Sequence, residues 1–326
     1  MDKVRVGFIG CGGIAQYHFG HYEKMQDKAQ IVACCDLLED RRQKTAERFA
    51  ATPYADYREM LEREKLDALH VCVHPGAHDG MEFIAIEKGI PLFVQKPMTL
   101  DIKYARKVMN AIKKKKLISA VGLQCRYVDT LPFVKNWVDH HQIATISCYR
   151  FGGVPMVWWW RQMKESGGQV VEQTIHNFDI CRYLFGEVEQ VQAARRQGIV
   201  KDIENYDVDD ASSTLITFKS GVIGTFTTGC FGAFPGDFNF FAADGHKLEY
   251  GLGGTYKATS PNMNIEGKPS NDYGQECDET FIDAVRGEIP ADEILSPYAD
   301  ACKTLAFTLA INESMDQGGI PVKPAM

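Results

Sequence analysis

A chain of 326 residues with 45% apolar and 24% charged side chains has the composition of an ordinary soluble globular protein, long enough for two domains with separate cores. A formal net charge of −7 and a pI near 5.8 leave no electrostatic footprint for nucleic acid or an anionic membrane. Ten cysteines are scattered without a C-x-x-C pair, and no signal-peptide pattern or membrane-length apolar run is found. These features point to a reducing, cytoplasmic setting with no disulfide frame and no metal site.

The strand-like run 4–9 passes at once into Gly10-Cys11-Gly12-Gly13-Ile14-Ala15, a G-x-G-x-x-A sequence opening a helix that runs to about Met25. Glycines so spaced allow a tight turn and let the backbone approach a pyrophosphate resting on the helix N-terminus. A second strand, 30–35, ends in Asp36. Its carboxylate can accept both ribose hydroxyls of an adenosine and would repel a 2′-phosphate, so NAD is expected over NADP. Arg41 and Arg42 nearby are the counter-signal.

Helical segments at 39–50 and 57–64 lead to a strand at 68–73, which runs into His74-Pro75-Gly76-Ala77-His78. Next come a helix ending at Gly89, a strand at 91–94 and the tripeptide Gln95-Lys96-Pro97. Thr99 caps another helix, with Ala105, Val108, Met109 and Ile112 on one face, and the basic run Lys113 to Lys116 closes it where cations are favourable. A strand at 118–122 completes this half. Strands alternating with helices predict a parallel sheet with right-handed crossovers. The loops at 10–15, 36–38, 74–78, 95–97 and 122–127 would open on the sheet edge where ligands bind. Lys96, held extended before a proline, would aim its ammonium into that crevice, a surface salt bridge being the plain alternative. His74 and His78 either touch the cofactor or cap the next helix.

After Leu123 the pattern changes. A helix runs to about His141, followed by strand-like runs at 143–151, 188–197, 211–218, 222–230, 237–243 and 246–251. Successive strands without helices between them predict an antiparallel or mixed sheet, whose free face is apolar enough for burial against another subunit. Helices at 275–286 and 297–315 close the chain, the second capped by Ser296-Pro297. The fold class is therefore α/β, with a doubly wound parallel sheet over 1–122 and an α+β domain with a large, mostly antiparallel sheet over 123–326.

The stretch 166–179, S-G-G-Q-V-V-E-Q-T-I-H-N-F-D, reads as the start of one helix ending at Gly186. Glu172 and His176 then stand one turn apart on one face, a pair suited to moving protons near neutral pH. A core histidine with an exposed glutamate beside it is the other reading. Upstream, Trp158-Trp159-Trp160-Arg161 cannot all face one way. They would form an aromatic wall for a sugar ring, with Arg161 binding hydroxyls or a negative group, or else pack a dimer.

Gly10-x-Gly12-x-x-Ala15, His74-Pro75-x-x-His78, Gln95-Lys96-Pro97 and Gly167-Gly168 leading to Glu172, His176 and Asp179 together resemble the Gfo/Idh/MocA family of NAD(P)-dependent sugar and polyol dehydrogenases. The resemblance implies a Rossmann domain followed by a sheet used in homodimer or homotetramer assembly, and a substrate cleft between the domains. It implies hydride transfer between a nicotinamide cofactor and a secondary hydroxyl or keto group of a sugar, polyol or sugar derivative. Lys96 matches the lysine of the family's Glu-Lys-Pro, and His176 the acid–base histidine of its G-x-x-x-D-x-x-x-H motif. Two departures stand out: Gln95 replaces the glutamate, and Glu172 replaces the aspartate. Lys96, His176 and Glu172 are the expected catalytic groups. Expected cofactor contacts are Gly10, Gly12, Gly13, Ile14, Ala15, Asp36, His74, Pro75, His78, Gln95, Lys96 and Gln124. Arg126, Tyr127, Trp160 and Arg161 would join the catalytic groups in binding substrate. Competing readings are a redox-assisted glycosidase or lyase that retains NAD, and a non-catalytic regulator that senses dinucleotide or sugar.

Overall fold

The computed structural model describes residues 2–325. The first part of the chain alternates β1 (Val4–Ile9), α1 (Gly13–Lys24), β2 (Ala29–Cys35), α2 (Glu39–Phe49), β3 (Thr52–Tyr54), α3 (Tyr57–Arg63), β4 (Ala68–Val71), α4 (Met81–Glu87), β5 (Leu92–Val94), α5 (Ile102–Lys115) and β6 (Ser119–Val121). All six strands are parallel, in the order β3-β2-β1-β4-β5-β6. The central strands are buried on both faces, which is why they read as continuous apolar runs. The order reverses between β1 and β4, the point at which such a sheet opens a crevice for ligand. β3 escapes the sequence pattern because it has three residues with Pro53 in the middle, and proline is tolerated only at a sheet edge. Helix α5 is capped by Asp101, whose carboxylate accepts from Lys103 N at 2.7 Å, and not by Thr99. The Thr99 hydroxyl accepts instead from Asp101 N, one step outside the helix.

Beyond Tyr127 come α6 (Leu131–His140), β7 (Ile143–Phe151), α7 (Met163–Ser166), a π-helical turn at Gln169–Gln173, α8 (Ile175–Phe185), and strands β8 (Val188–Arg196), β9 (Ala211–Phe218), β10 (Ile223–Gly229), β11 (Phe238–Ala242), β12 (Lys247–Tyr250), β13 (Tyr256–Thr259) and β14 (Asn264–Gly267). The eight strands form one sheet in the order β14-β13-β12-β11-β7-β10-β9-β8. It is antiparallel except where β10 runs beside β7. Ile146, Cys148, Ile216, Phe226, Phe238, Phe240 and Leu248 are buried on one face. The expected single helix over 168–186 is instead two pieces. Gly167 and Gly168 both take positive φ, ending α7, and Thr174 N then bonds back five residues to Gln169 O at 2.9 Å.

The last helices are α9 (Tyr273–Arg286) and α10 (Tyr298–Asp316). The chain divides into two compact units: residues up to Tyr127 with Asp272–Cys302, and Val128–Asn271 with the chain from Lys303 onward. The segment 272–302, expected in the second half, thus belongs with the parallel sheet. Its reason is apolar: Cys277, Phe281, Ile282 and Ala284 of α9 share one core with Phe8, Phe19, Tyr22 and Phe93. Ser296, expected as a cap, turns its hydroxyl to Val121 O at 2.7 Å while its carbonyl accepts from Val121 N, adding a short rung to β6. All ten cysteines are buried free thiols. No helix among the described residues is long and apolar enough to cross a membrane.

Candidate active site

In the first unit, the loop from β1 to α1 is shaped for close backbone approach. Gly10 has φ +91, and a Cβ there would lie 2.5 Å from Cys72 O, so only glycine fits. A Cβ on Gly13 would meet nothing within 4 Å, and one on Gly12 would meet only Arg41 Nη1 at 3.5 Å. The first bond of α1 runs from Gln16 N to Gly12 O, so the amides of Gly13, Ile14 and Ala15 precede the intrahelical ladder. Ala15 is buried and Ile14 exposed, so the small residue faces the sheet. This open first turn fits a pyrophosphate. At the end of β2, Asp36 is held by Cys11 N on Oδ2 at 2.8 Å and by Leu38 N on Oδ1 at 2.9 Å. Arg42 is tied to Asp36 O and Leu37 O, which leaves the exposed Arg41 as the cation beside the glycines.

Pro75 is buried in a single 3₁₀ turn after the half-buried His74. His78 does not cap α4, which starts after Gly80 with no side-chain cap. Its Nδ1 bonds Glu82, which also accepts from Tyr104 OH at 2.6 Å, so His78 pins the loop to α4. Gln95 is buried and Lys96 half-buried. Gln124 Oε1 is a buried acceptor without a partner among the described residues, a feature that suits a ligand N–H. Arg126 and Tyr127 serve the fold. Arg126 Nη1 bonds Leu295 O and Asp300 Oδ2, each at 2.7 Å, while Tyr127 Oη accepts from Leu295 N at 3.0 Å. Both side chains are buried, and these bonds fasten the 272–302 segment.

In the second unit, the motif stretch follows the glycine pair. Glu172 lies in the π turn and is 9% exposed, contrary to the reading of it as a solvent neighbour. Its Oε2 accepts from Trp160 Nε1 at 2.8 Å, a donor the sequence spacing does not reveal. Trp160 is fully buried with Val208 and Cys230, Trp159 is half-buried and Trp158 exposed, so the three rings do face different ways. His176 is half-buried in the first turn of α8. Arg161 is half-buried, its carbonyl accepting from Asp207 N at 3.1 Å. Asp179 serves packing: it accepts from Thr304 Oγ1 at 2.6 Å, and Thr304 accepts from Arg182 Nε at 3.0 Å. A carboxylate fixed by an indole N–H, four residues before an imidazole at a helix start, is a set of groups able to bind a hydroxyl and take a proton.

Comparison with known proteins places this geometry. The model of the Gfo/Idh/MocA oxidoreductase family with NAD-binding Rossmann fold matches residues 4–123, and the model of the Gfo/Idh/MocA C-terminal domain matches 140–246. The chain belongs to the Gfo/Idh/MocA oxidoreductase family, and its first unit carries the family's NAD-binding Rossmann fold. It is 29% identical over 232 residues to a scyllo-inositol 2-dehydrogenase (NAD(+)) of Bacillus subtilis, covering 68% of this chain and 66% of the relative. It is 28% identical over 228 residues to a myo-inositol 2-dehydrogenase of Thermotoga maritima, covering 68% and 67%. These matches span about two thirds of the curated relatives' length. In fold it is similar to the WlbA dehydrogenase of Bordetella pertussis in complex with NADH and UDP-GlcNAcA, with a TM-score of 0.84, 21% identity and all of both chains covered. A levoglucosan dehydrogenase in complex with NADH and L-sorbose matches with a TM-score of 0.86, 16% identity and all of both chains covered.

Proposed function

We propose that this protein is an NAD-dependent dehydrogenase acting on a secondary hydroxyl, or in reverse a keto group, of an inositol, sugar or related polyol. The observation that carries the redox reading is the open first turn of α1 with Asp36 fixed at the end of β2. The names of the inositol dehydrogenases support the substrate class. NAD, when bound, supplies the acceptor for a hydride and can return it. Gly12, Gly13 and Ile14 would hold its pyrophosphate, and Asp36 its adenosine ribose. His176 takes the proton of the reacting hydroxyl, work an imidazole does near neutral pH. Lys96 would donate a hydrogen bond to a substrate oxygen that gains charge. Glu172, held by Trp160, binds a neighbouring hydroxyl. Arg161 remains a proposed wall of the substrate site; Trp160, expected to line it, is buried and bonded to Glu172, so the exposed Trp158 is proposed in its place.

The test is absorbance at the reduced-nicotinamide band with inositols, aldoses, polyols and keto-sugars against NAD and NADP. Lys96→Ala and His176→Ala should each lower turnover by about 10²–10⁴-fold. Turnover within a few fold of wild type in both single variants would overturn the assignment.

We also propose a homodimer or homotetramer built on the outward face of the eight-stranded sheet, in a cytoplasmic setting. Tyr149, Leu215, Ile223 and Phe241 are 38–48% exposed on that face, an apolar set suited to a copy of itself.

A further inference from the structure

Lys96 is preceded by a buried amide whose orientation can be worked out atom by atom. The Lys96 backbone N–H can only donate, and it lies 3.1 Å from Gln95 Oε1, so that atom is the carbonyl. The amide nitrogen of Gln95 therefore faces His18 Nε2, its hydrogen-bond partner. His18 Nε2 must accept, which puts the ring proton on Nδ1. That nitrogen lies 2.6 Å from Asp278 Oδ2. Every donor thus points one way, from the Lys96 backbone through Gln95 and His18 to a carboxylate with no exposed surface. Hydrogen bonds aligned in this manner polarise one another in a low-dielectric interior.

Sterics fix the same amide. A Cβ on Gly122 would lie 2.6 Å from both Nε2 and Oε1 of Gln95, so the Gly122 backbone packs closely against the amide and leaves it no room to turn. Around Asp278 stand His21, whose Nδ1 is 2.6 Å from the same Oδ2 and whose Nε2 is 3.9 Å from Asp272, with His70, Tyr17, Tyr22, Cys72 and Cys277. Burial alone would push the Asp278 carboxyl up, but the His18 and His21 rings bonded to it outweigh that and hold it well below the usual range. A metal shared by His18, His21 and Asp278 does not suit these distances. Ligand atoms about 2.0–2.2 Å from a tetrahedral ion stand roughly 3.3 Å apart, whereas the observed 2.6 Å is that of a hydrogen bond.

We infer that His18, Asp278 and Gly122 are positioning residues that set the orientation of the Gln95–Lys96 peptide, and that this directed chain is what suits position 95 to glutamine. The inference rests on the role given to Lys96 above. A glutamate at 95 would set an acceptor against His18 Nε2, so the ring would need a proton on both nitrogens to bridge two carboxylates.

The decisive measurement is a long-range ¹H–¹⁵N spectrum of the full chain labelled at histidine, with the His18 signals assigned by their loss in His18→Asn. The expected result at pH 7.5 is a neutral His18 with its proton on Nδ1, changing to the doubly protonated ring in Gln95→Glu. A wild-type proton on Nε2, or a His18 unchanged by Gln95→Glu, overturns the chain. In steady-state kinetics, Gly122→Ala and His18→Asn should each lower kcat about tenfold, as small misplacements of a reacting group do, with KM for NAD within about threefold. If both leave kcat unchanged, the positioning role is wrong even with the expected tautomer. Should His18→Asn not fold, Gly122→Ala and the Gln95→Glu spectrum decide the question. A fully active Lys96→Ala would remove the role of Lys96 while leaving the tautomer result standing, so the two failures are told apart.

Discussion

His70 lies face to face with Phe93 at 4.4 Å and with Phe8 at 4.6 Å, its Nε2 bonded to Tyr22 Oη at 2.7 Å. Burial, helped by His18 and His21 and opposed by Asp278, holds its pKa down at about 3. An unfolded histidine titrates near about 6.5, so between those values the unfolded chain binds the extra proton. The contribution of His70 is therefore complete above about pH 6.5 and is lost as pH falls towards 3. Urea unfolding across that window should show a flatter acid limb for His70→Phe than for wild type. At pH 7 the variant should be about 1 kcal/mol less stable, because the Tyr22 hydroxyl loses its partner. Trp160→Phe should cost about 1–3 kcal/mol in the same assay by removing the indole N–H from the buried Glu172 carboxylate. Gly10→Ala should cost more than about 2 kcal/mol and weaken NAD binding, since the new methyl meets Cys72 O in a left-handed backbone. Gly10 and Asp36 were legible in the sequence because turn chemistry and an acidic strand end are local signals. Asp278 was not, because it is 260 residues from His18 and no short-range pattern joins them.

The π turn at Gln169–Gln173 places one extra residue between Gly168 and α8. Removing that residue restores α-helical register and rotates what precedes it by about 100°, the angle of one residue. Deleting Gln173 should therefore swing Glu172 off Trp160 and abolish turnover. The far-UV circular dichroism should stay close to wild type, since only one turn is rewound. This insertion is invisible to apolar periodicity, because Val170, Val171, Ile175 and Phe178 are all buried and the pattern continues through the irregularity. Strand registers tell a similar story. β7 to β12 were readable as short strand-like runs, whereas β13 and β14 have four residues each and β14 is largely exposed. The parallel pairing of β7 with β10 was hidden as well, because side-chain alternation is the same whichever way the neighbour runs.

The outward face of the eight-stranded sheet offers a direct test of assembly. Leu215→Lys with Ile223→Lys adds charge to adjoining strands on that face without touching the buried one, so light scattering should show a shift to monomer. An unchanged mass would remove the sheet from the interface. The division of the chain carries a different implication, one that concerns how the molecule is made. α9 completes the core of the first unit, yet it lies well over a hundred residues beyond Tyr127. At about 5–20 residues per second, synthesis from Tyr127 to Cys302 takes roughly ten to thirty-five seconds. Throughout that interval the nascent parallel sheet lacks Phe281 and Ile282 over Phe8 and Phe93, leaving an uncovered oily surface at the ribosome exit. A truncated product ending near residue 127 should accordingly be captured by chaperones or precipitate, and should bind no dinucleotide, for all that it contains every glycine of the fingerprint.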